Sequence, residues 1–236
     1  MKIVIFTENN KGGGMDTFIA SLVKNWPNKD KFIVICNHNH PGLNYLKDIL
    51  PKNVEVKTHL LPLNWSFLSS FLKYLPMIIQ RMVRQILRPL LAPYQYKKIK
   101  KILKNYKADQ LISVNGSYPG GETCRLANIA WFSLYKKKSV HNFHNYPVNY
   151  RAIFAPYELL IDRKLNDSCS DIVSVSSDCA ESIRIRSVFR NSKKISFIYN
   201  GLYNKSKNNI SSSVRQKFGL THDSKIILMI GTFEPR

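Results

Sequence analysis

The segment Lys2-Ile3-Val4-Ile5-Phe6, followed by the glycine run Gly12-Gly13-Gly14, predicts a buried strand that passes through a loop into a helix. An amphipathic pattern begins directly after the glycines and predicts a helix over Met15–Trp26. A strand, a glycine loop and a helix in this order form the repeating unit of parallel α/β sheets.

The same alternation continues along the chain. Short β-rich runs predict strands at Lys2–Phe6, Phe32–Cys36, Val54–Leu60, Gln110–Val114, Ser139–Phe143, Ile172–Val175 and Ile195–Tyr199. Between them the periodicity predicts helices at Met15–Trp26, Leu43–Leu50, Ser66–Tyr106, Glu122–Lys137, Pro156–Asn166 and Ser177–Phe189. We therefore predict a doubly wound α/β fold, with a mostly parallel sheet and helices on both faces.

The end of the chain differs in composition from the rest. Residues Asn204–Ser213 are polar and are followed by a short helical stretch, Val214–Leu220, which contains a capping glycine. Lys225–Gly231 then has the pattern of a buried strand, and the chain ends at Arg236. We expect one domain over 1–203, a linker with a short helix over 204–224, and the truncated start of a second domain over 225–236.

The charge of the chain points to a polyanionic partner. Lys and Arg total 36 against 15 Asp and Glu, which gives a formal net charge of +21. Such an excess favours an anionic membrane surface, a phosphorylated substrate or nucleic acid. The 44% hydrophobic content is typical of a folded globular protein.

The cysteines and the N-terminus indicate a cytoplasmic protein. Cys36, Cys124, Cys169 and Cys179 are scattered without CxxC or zinc-ligand spacing, so we expect reduced thiols and no bound metal. The first residues lead into the glycine loop instead of a cleavage site, so we expect no export signal.

Two glycine loops are candidate ligand-binding sites. Gly12, Gly13 and Gly14 precede a helix N-terminus, where bare backbone and free amides suit a phosphate, although the run is not GxGxxG. Asn115 and Gly116 begin a second loop after the fourth predicted strand. Ligands of open α/β sheets bind at this carboxyl edge, which favours a site, and two purely structural turns remain the alternative.

Two histidines lie at the end of the fifth predicted strand. His141 and His144 are candidate catalytic residues, because a histidine can hydrogen-bond a sugar hydroxyl or exchange a proton near neutrality. They cannot both face the same side of a strand, and we favour His144 because it falls at the strand end. A structural role for both is the alternative.

The stretch between Glu55 and Asp109 contains no acidic residue and many cations. Apolar residues are interleaved with them, which predicts a basic amphipathic element that lies on an anionic membrane. A solvated helix face is the alternative, and nucleic acid is the least favoured partner because no nucleic-acid-binding motif is present. The candidate surface residues are Arg81, Arg84, Arg88, Lys97, Lys98, Lys100 and Lys101.

Several stretches, taken in order, resemble family 4 retaining glycosyltransferases of the GT-B fold. They are Lys2-Ile3-Val4-Ile5-Phe6, Gly12-Gly13-Gly14-Met15-Asp16, His144-Asn145, Val173-Ser174-Val175-Ser176, Ile198-Tyr199-Asn200-Gly201-Leu202 and Ile230-Gly231-Thr232-Phe233-Glu234-Pro235-Arg236. The resemblance implies one Rossmann-like GT-B half, the acceptor-side domain, together with the first strand of the donor-binding domain.

The resemblance also implies residue roles. Gly13 and Gly14 would approach the donor diphosphate, His144 would lie near the transferred sugar, and Arg236 would stabilise the leaving diphosphate without a metal. Thr232 stands where many relatives have arginine, and the glutamate pair that grips the donor is not in this chain. Whether the chain is an enzyme by itself is therefore open.

The resemblance leads to two functional hypotheses beside the nucleic-acid alternative. The first is half of an enzyme that transfers a sugar from a nucleotide sugar to a membrane-associated glycolipid or polysaccharide acceptor, with no cofactor or metal. The second is a non-catalytic acceptor and membrane-docking subunit, completed by a separate C-terminal-half chain. Both imply a cytoplasmic protein, peripheral on the inner face of the cell membrane.

Overall fold

The computed structural model describes residues 1–116, 118–201, 213–221 and 223–225. One compact unit covers Met1–Asn200, and a second unit begins at Gly201. Residues 204–212 of the predicted linker, the strand over 226–230 and Arg236 lie outside the described residues, so the domain boundaries stay a prediction.

The first unit alternates strands and helices as predicted. Its strands are β1 (Lys2–Thr7), β2 (Lys31–Asn37), β3 (Glu55–His59), β4 (Gln110–Asn115), β5 (Ser139–Phe143), β6 (Cys169–Ser174) and β7 (Ile195–Phe197). Its α-helices are α1 (Gly14–Lys24), α2 (Leu43–Ile49), α3 (Ser69–Leu72), α4 (Met77–Tyr106), α5 (Glu122–Tyr135), α6 (Ala155–Ser168) and α7 (Ser177–Ser182). Short 3-10 turns occur at Ala152–Phe154, Ile183–Ile185 and Ser187–Phe189.

Two long helix predictions are corrected by the structure. The predicted helix over 66–106 is divided into α3 and α4, because Pro76 has no amide hydrogen and disfavours a helical conformation at Leu75. The helix predicted over 177–189 ends at Ser182 and continues as 3-10 turns.

The seven strands form one parallel sheet in the order β3-β2-β1-β4-β5-β6-β7. The predicted doubly wound α/β fold, with a Rossmann-like parallel sheet, is therefore confirmed. The chain order reverses between β1 and β4, so the loops that leave these two strands diverge there. Such a switch point opens a crevice at the carboxyl edge of the sheet.

The central strands are apolar on both sides because helices cover both faces. In β1, Val4 and Phe6 contribute to the core beneath α4 and α5, whereas Ile3 and Ile5 contribute to the core beneath α1 and α2. A third cluster, which includes Phe143, packs near α6 and α7. This two-sided burial fixes the strand ends, and with them the loops at the switch point.

The described part of the second unit is short. Helix α8 covers Ser213–Lys217, close to the predicted short helix. Gly219 follows it with a left-handed φ of 62°, the conformation that favours glycine after a helix. The Leu220 amide donates to the Arg215 carbonyl at 2.9 Å and closes the turn.

Candidate functional site

The loop after β1 presents bare backbone beside the switch point. Gly13 has a φ of 145°, which only glycine adopts easily, and a Cβ added at Gly13 or Gly14 would meet no atom of the described residues within 4 Å. The amides of Gly14 and Met15 lie in the first turn of α1, where helix amides have no intrahelical acceptor. The loop therefore offers open space and free donors to an anion.

A buried carboxylate holds this loop in position. Asp16 accepts a hydrogen bond from the Gly13 amide at 3.1 Å and another from Asn9 Nδ2 at 3.1 Å. Its Oδ1 lies 2.8 Å from His40 Nε2, and Asn37 Oδ1 accepts from the Asn9 amide at 2.8 Å. The network joins the loop after β1 to the loop after β2.

Gly12 of the loop packs directly on Gly42 at the start of α2. A Cβ added at Gly12 would lie 3.1 Å from the Gly42 Cα, and one added at Gly42 would lie 2.5 Å from Asp16 Oδ2. The absence of side chains at both positions therefore lets two backbones meet. Of the three predicted glycines, Gly12 is a packing position, whereas Gly13 and Gly14 face open space.

The second predicted loop follows β4 on the other side of the switch point. Asn115 is buried, and its Oδ1 accepts from the Gly121 amide at 2.9 Å, which closes the loop before α5. The Gly116 carbonyl accepts from Asn145 Nδ2 at 2.8 Å. A Cβ added at Gly116 would lie 3.0 Å from Met15 Sδ, so the structure brings the two glycine loops together.

Sequence reasoning missed Glu8, which directly follows β1. Its Oε1 accepts from Trp65 Nε1 at 2.9 Å, and its Oε2 accepts from the Thr123 amide at 3.0 Å and the Thr123 hydroxyl at 2.6 Å. Burial raises the pKa of this carboxyl. Glu8 therefore connects β1, the start of α5 and the segment after β3. An acidic residue directly after an apolar strand was the signal for it.

His144 lies at the end of β5, where it was predicted. Its Nε2 is 2.6 Å from Asn142 Oδ1, which only accepts, so Nε2 donates and Nδ1 of the neutral ring is left as an acceptor. Phe18 packs edge-on against the ring, with 4.5 Å between the ring centroids. Burial lowers the pKa of His144 to about 4, so the ring is neutral at pH 7 and suited to accept a hydroxyl hydrogen bond.

His141 is completely buried inside the sheet, away from the strand end. Its Nδ1 is 2.7 Å from Ser113 Oγ and accepts from Asn128 Nδ2 at 3.2 Å. Burial, together with the positive charge of Arg125, lowers the pKa of His141 to about 3. The structure therefore does not bring the two predicted histidines together, and His141 occupies a core position.

The predicted cationic surface is corrected at one residue. Arg88 is only 3% exposed, and its Nε and Nη1 donate to Glu122 at 2.9 Å and Glu158 at 2.7 Å. The prediction that Arg88 lies on the surface is wrong, because α5 and α6, which are far from it in the sequence, supply its carboxylate partners. Four of the other predicted cations are exposed, namely Arg81, Lys97, Lys98 and Lys101. The remaining two, Arg84 and Lys100, are half-buried.

These cations are distributed unevenly along α4. Arg81 and Arg84 share the first half of the helix with an exposed row of apolar side chains at four-residue spacing, here called the apolar stripe: Ile78, Met82, Ile86 and Leu90. The four lysines follow in the second half, which packs on the core through Ile99 and Leu103. At 1.5 Å per residue, Met82 and Lys101 are about 28 Å apart along the helix.

In the described part of the chain, no group of three or more His, Cys, Asp or Glu side chains is arranged to hold a metal ion. The described helices also include none with the length and apolar character of a bilayer-spanning segment.

No protein-family model and no curated protein matches the chain. The chain does match solved structures. Alr3699/HepE from Anabaena in complex with UDP matches with a TM-score of 0.50 and 17% identity, over 93% of this chain and 50% of that chain. The chain has the fold of one half of a GT-B protein.

Two further matches have a similar extent. The UDP-glucose complex of HepE gives a TM-score of 0.50 and 14% identity, over 93% of this chain and 50% of that chain. UDP-GlcNAc 2-epimerase from Neisseria meningitidis, bound to UDP-GlcNAc, gives a TM-score of 0.48 and 14% identity, over 85% of this chain and 46% of that chain. The chain therefore spans about half the length of the solved structures that it matches.

Proposed function

We propose that this chain is the acceptor-side half of a retaining, family 4-like glycosyltransferase. The complete enzyme transfers a sugar from a nucleotide-sugar donor to a membrane-associated glycolipid or polysaccharide acceptor. The observation that carries the proposal is the pair of glycine loops at the switch point, where the backbone of Gly13 and Gly14 faces open space. The likeness in fold to HepE, which was solved with UDP and with UDP-glucose, supports the same class of donor.

In this proposal the loop after β1 binds the donor diphosphate. The free amides of Gly14 and Met15 donate to phosphate oxygens, and the positive end of the α1 dipole favours the negative charge. Asp16 contributes indirectly, because its hydrogen bond to the Gly13 amide fixes the direction of the loop backbone.

His144 is the proposed group beside the transferred sugar. Because Asn142 binds the Nε2 hydrogen, the neutral ring presents Nδ1 as an acceptor for a sugar hydroxyl. This is a positioning role at neutral pH and involves no net proton transfer. Asn142 is itself fixed by a 3.2 Å hydrogen bond from its Nδ2 to the Val173 carbonyl.

The remaining parts of the proposal concern partners. A donor-binding half completes the active site, and Arg236 contributes a positive charge to the leaving diphosphate, so that no resident metal or cofactor is used. The apolar stripe and the neighbouring Arg81 and Arg84 dock on the anionic inner face of the cell membrane, which makes the protein peripheral and cytoplasmic.

The test is reconstitution of transfer in a cell extract that lacks only this chain. Membranes and cytosol from cells with the gene deleted are supplied with radiolabelled UDP-, GDP- and other nucleotide sugars. Purified chain is then added, and label in lipid-extractable or polysaccharide material is counted. We expect the wild-type chain to restore one labelled product. If none of the nucleotide sugars yields a labelled product when the chain is added, the proposal is overturned.

Variants in the same assay separate the enzyme half from a non-catalytic subunit. His144→Ala and Gly13→Val should abolish restoration if the chain contributes to the active site, and exposed His38→Ala is the matched control. Full restoration by both site variants, with loss on removal of the apolar stripe, would assign the chain as the docking subunit of a split glycosyltransferase instead.

A further inference from the structure

A buried cluster of ion pairs lies between α4, α5 and α6. Four guanidiniums and three carboxylates are joined by contacts of 2.6 to 3.5 Å. The members are Arg88, Arg125, Arg151, Arg186, Glu122, Glu158 and Asp162. Except for Arg151, whose side chain is 39% exposed, each is at most 3% exposed.

The cluster has one positive charge more than negative charges. Burial alone would raise the pKa values of Glu122 and Glu158, but the neighbouring arginines outweigh it and lower both, so these carboxylates are ionised. Four arginines against three carboxylates leave an excess of +1. Within the described part of the chain, the nearby Glu8 forms no ion pair with these arginines. Such an excess is costly to the extent that it is removed from water, and Arg151, which is 39% exposed, is only partly solvated.

Arg151 shows where the excess charge is concentrated. Burial and the repulsion of Arg88 lower the pKa of Arg151, although Glu158 accepts from its Nη1 at 3.0 Å. Arg88 has a further incomplete feature, because its buried Nη2 has no hydrogen-bond partner among the described residues. Its Nε and Nη1 are both engaged. The two guanidiniums therefore have unused donor capacity.

A cavity opens at these two arginines. It has a volume of about 170 Å³, and its lining includes Arg88 and Arg151 together with the polar side chains of Asn64, Gln85 and Tyr146. One water needs only about 10–15 Å³ on this scale, so the cavity accommodates a larger group. Pro119 and Gly120, from the loop after β4, contribute to its wall.

We propose that this cavity binds a phosphate group, with Arg88 and Arg151 as its principal ligands. A phosphate offers several negatively charged oxygens, and the unpartnered Nη2 of Arg88 and the remaining N–H groups of Arg151 can donate charge-assisted hydrogen bonds to them. The amide and hydroxyl donors of Asn64, Gln85 and Tyr146 suit the remaining oxygens. The bound anion also cancels the excess charge of the cluster.

The surroundings of the cavity favour a phosphate that carries an apolar chain. Gln85 and Arg88 belong to α4, and Met82 of the apolar stripe lies three residues before Gln85, on the same face of that helix. The phosphate-binding assignment depends on the cavity and its charges. The further step, that the phosphate belongs to the acceptor, rests on the proposed function.

The test uses the purified 236-residue chain without any nucleotide sugar. Inorganic phosphate and pyrophosphate are titrated by calorimetry at constant ionic strength, and thermal unfolding is followed in parallel. Arg151→Gln should weaken binding about tenfold, because one charge-assisted ligand is lost. The Arg151→Gln variant should still fold, because Glu158 retains its ion pairs with Arg88 and Arg186. The substitution also removes the excess positive charge of the cluster. The affinity of Arg151→Lys for phosphate should lie between those of the wild type and Arg151→Gln.

Arg163→Gln is the matched control, since it removes one exposed guanidinium from α6 outside the cavity and outside the candidate membrane surface. Equal weakening by Arg151→Gln and Arg163→Gln, or no binding of either anion, would overturn the proposal. A second arm measures flotation with phosphatidylcholine vesicles that contain phosphatidic acid. A loss specific to Arg151→Gln in both arms indicates a lipid-borne phosphate, and a loss in the first arm alone indicates a soluble one. Because no sugar is transferred, these results are independent of the glycosyltransferase test.

Discussion

The carboxylate of Asp16 lies 2.8 Å from Nε2 of His40, and both side chains are completely buried. Asp16 belongs to the first turn of α1, and His40 belongs to the loop after β2. The same carboxylate binds the Gly13 amide, so one side chain fixes the glycine loop against its neighbour. The open backbone of the candidate site therefore depends on a buried hydrogen-bonded contact behind it.

Asp16→Asn should destabilise the protein by about 1–3 kcal/mol, because an amide of the same shape directs a donor toward groups that themselves donate. Urea denaturation at pH 7 measures the change. Asp48→Asn, which alters an exposed carboxylate on α2, is the control and should change the free energy of unfolding by less than about 0.5 kcal/mol. Equal effects would show that the buried network contributes little.

Gly42→Ala should destabilise the protein, whereas Gly14→Ala should not. The new Cβ at Gly42 would lie 2.5 Å from Asp16 Oδ2 and 3.0 Å from the Gly12 Cα, which should cost about 1–3 kcal/mol. A Cβ added at Gly14 would meet no atom of the described residues within 4 Å, and alanine suits the first turn of α1, so stability should be unchanged or higher by about 0.4–1 kcal/mol. Thermal unfolding of the two variants side by side tests this. Destabilisation by Gly14→Ala would mean that the loop is packed and not open.

The sequence predicted the sheet well because its strands are buried on both faces. Runs such as the one in β1 can then be recognised without knowledge of their neighbours. Both glycine loops and His144 also lie at the strand ends where local patterns put them. These features are local in sequence, and the parallel order brings them to one edge.

The buried contacts could not be predicted, because their partners are far apart in the chain. Arg88 had the appearance of one cation among many in an acid-free stretch, yet it pairs with Glu158, 70 residues away. Glu8 bonds to Thr123, which is 115 residues away. Composition and periodicity contain no signal for such pairings, so an arginine of the core was assigned to the surface.

Stability should fall as the pH is lowered below about 6.5, in part because of His141. Burial lowers its pKa to about 3, so the unfolded chain binds a proton near pH 6.5 and the folded protein does not. Its contribution is complete above pH 6.5 and is lost progressively toward pH 3. Between about pH 6.5 and pH 5 the loss should approach about 2 kcal/mol.

His141→Asn should flatten this pH dependence, whatever its effect on stability at pH 7. The measurement is the free energy of unfolding in urea at half-unit intervals from pH 7 to pH 5. His38→Asn, at an exposed position, should retain the wild-type slope. A His141→Asn slope equal to that of the wild type would contradict the assignment of a buried neutral histidine.

The apolar stripe on α4 should contribute to membrane binding without contributing to the fold. Ile78 and Met82 are 70% and 59% exposed, so Ile78→Ser with Met82→Ser should change the free energy of unfolding by less than about 0.5 kcal/mol for each substitution. Partition onto anionic vesicles should fall about tenfold or more, because each side chain loses its transfer into the bilayer interface. The matched control is Ile153→Ser with Leu160→Ser, at exposed positions that are 86% and 49% accessible and lie outside α4. Sedimentation with vesicles compares the two double variants, and equal partition would show that cations alone bind the membrane.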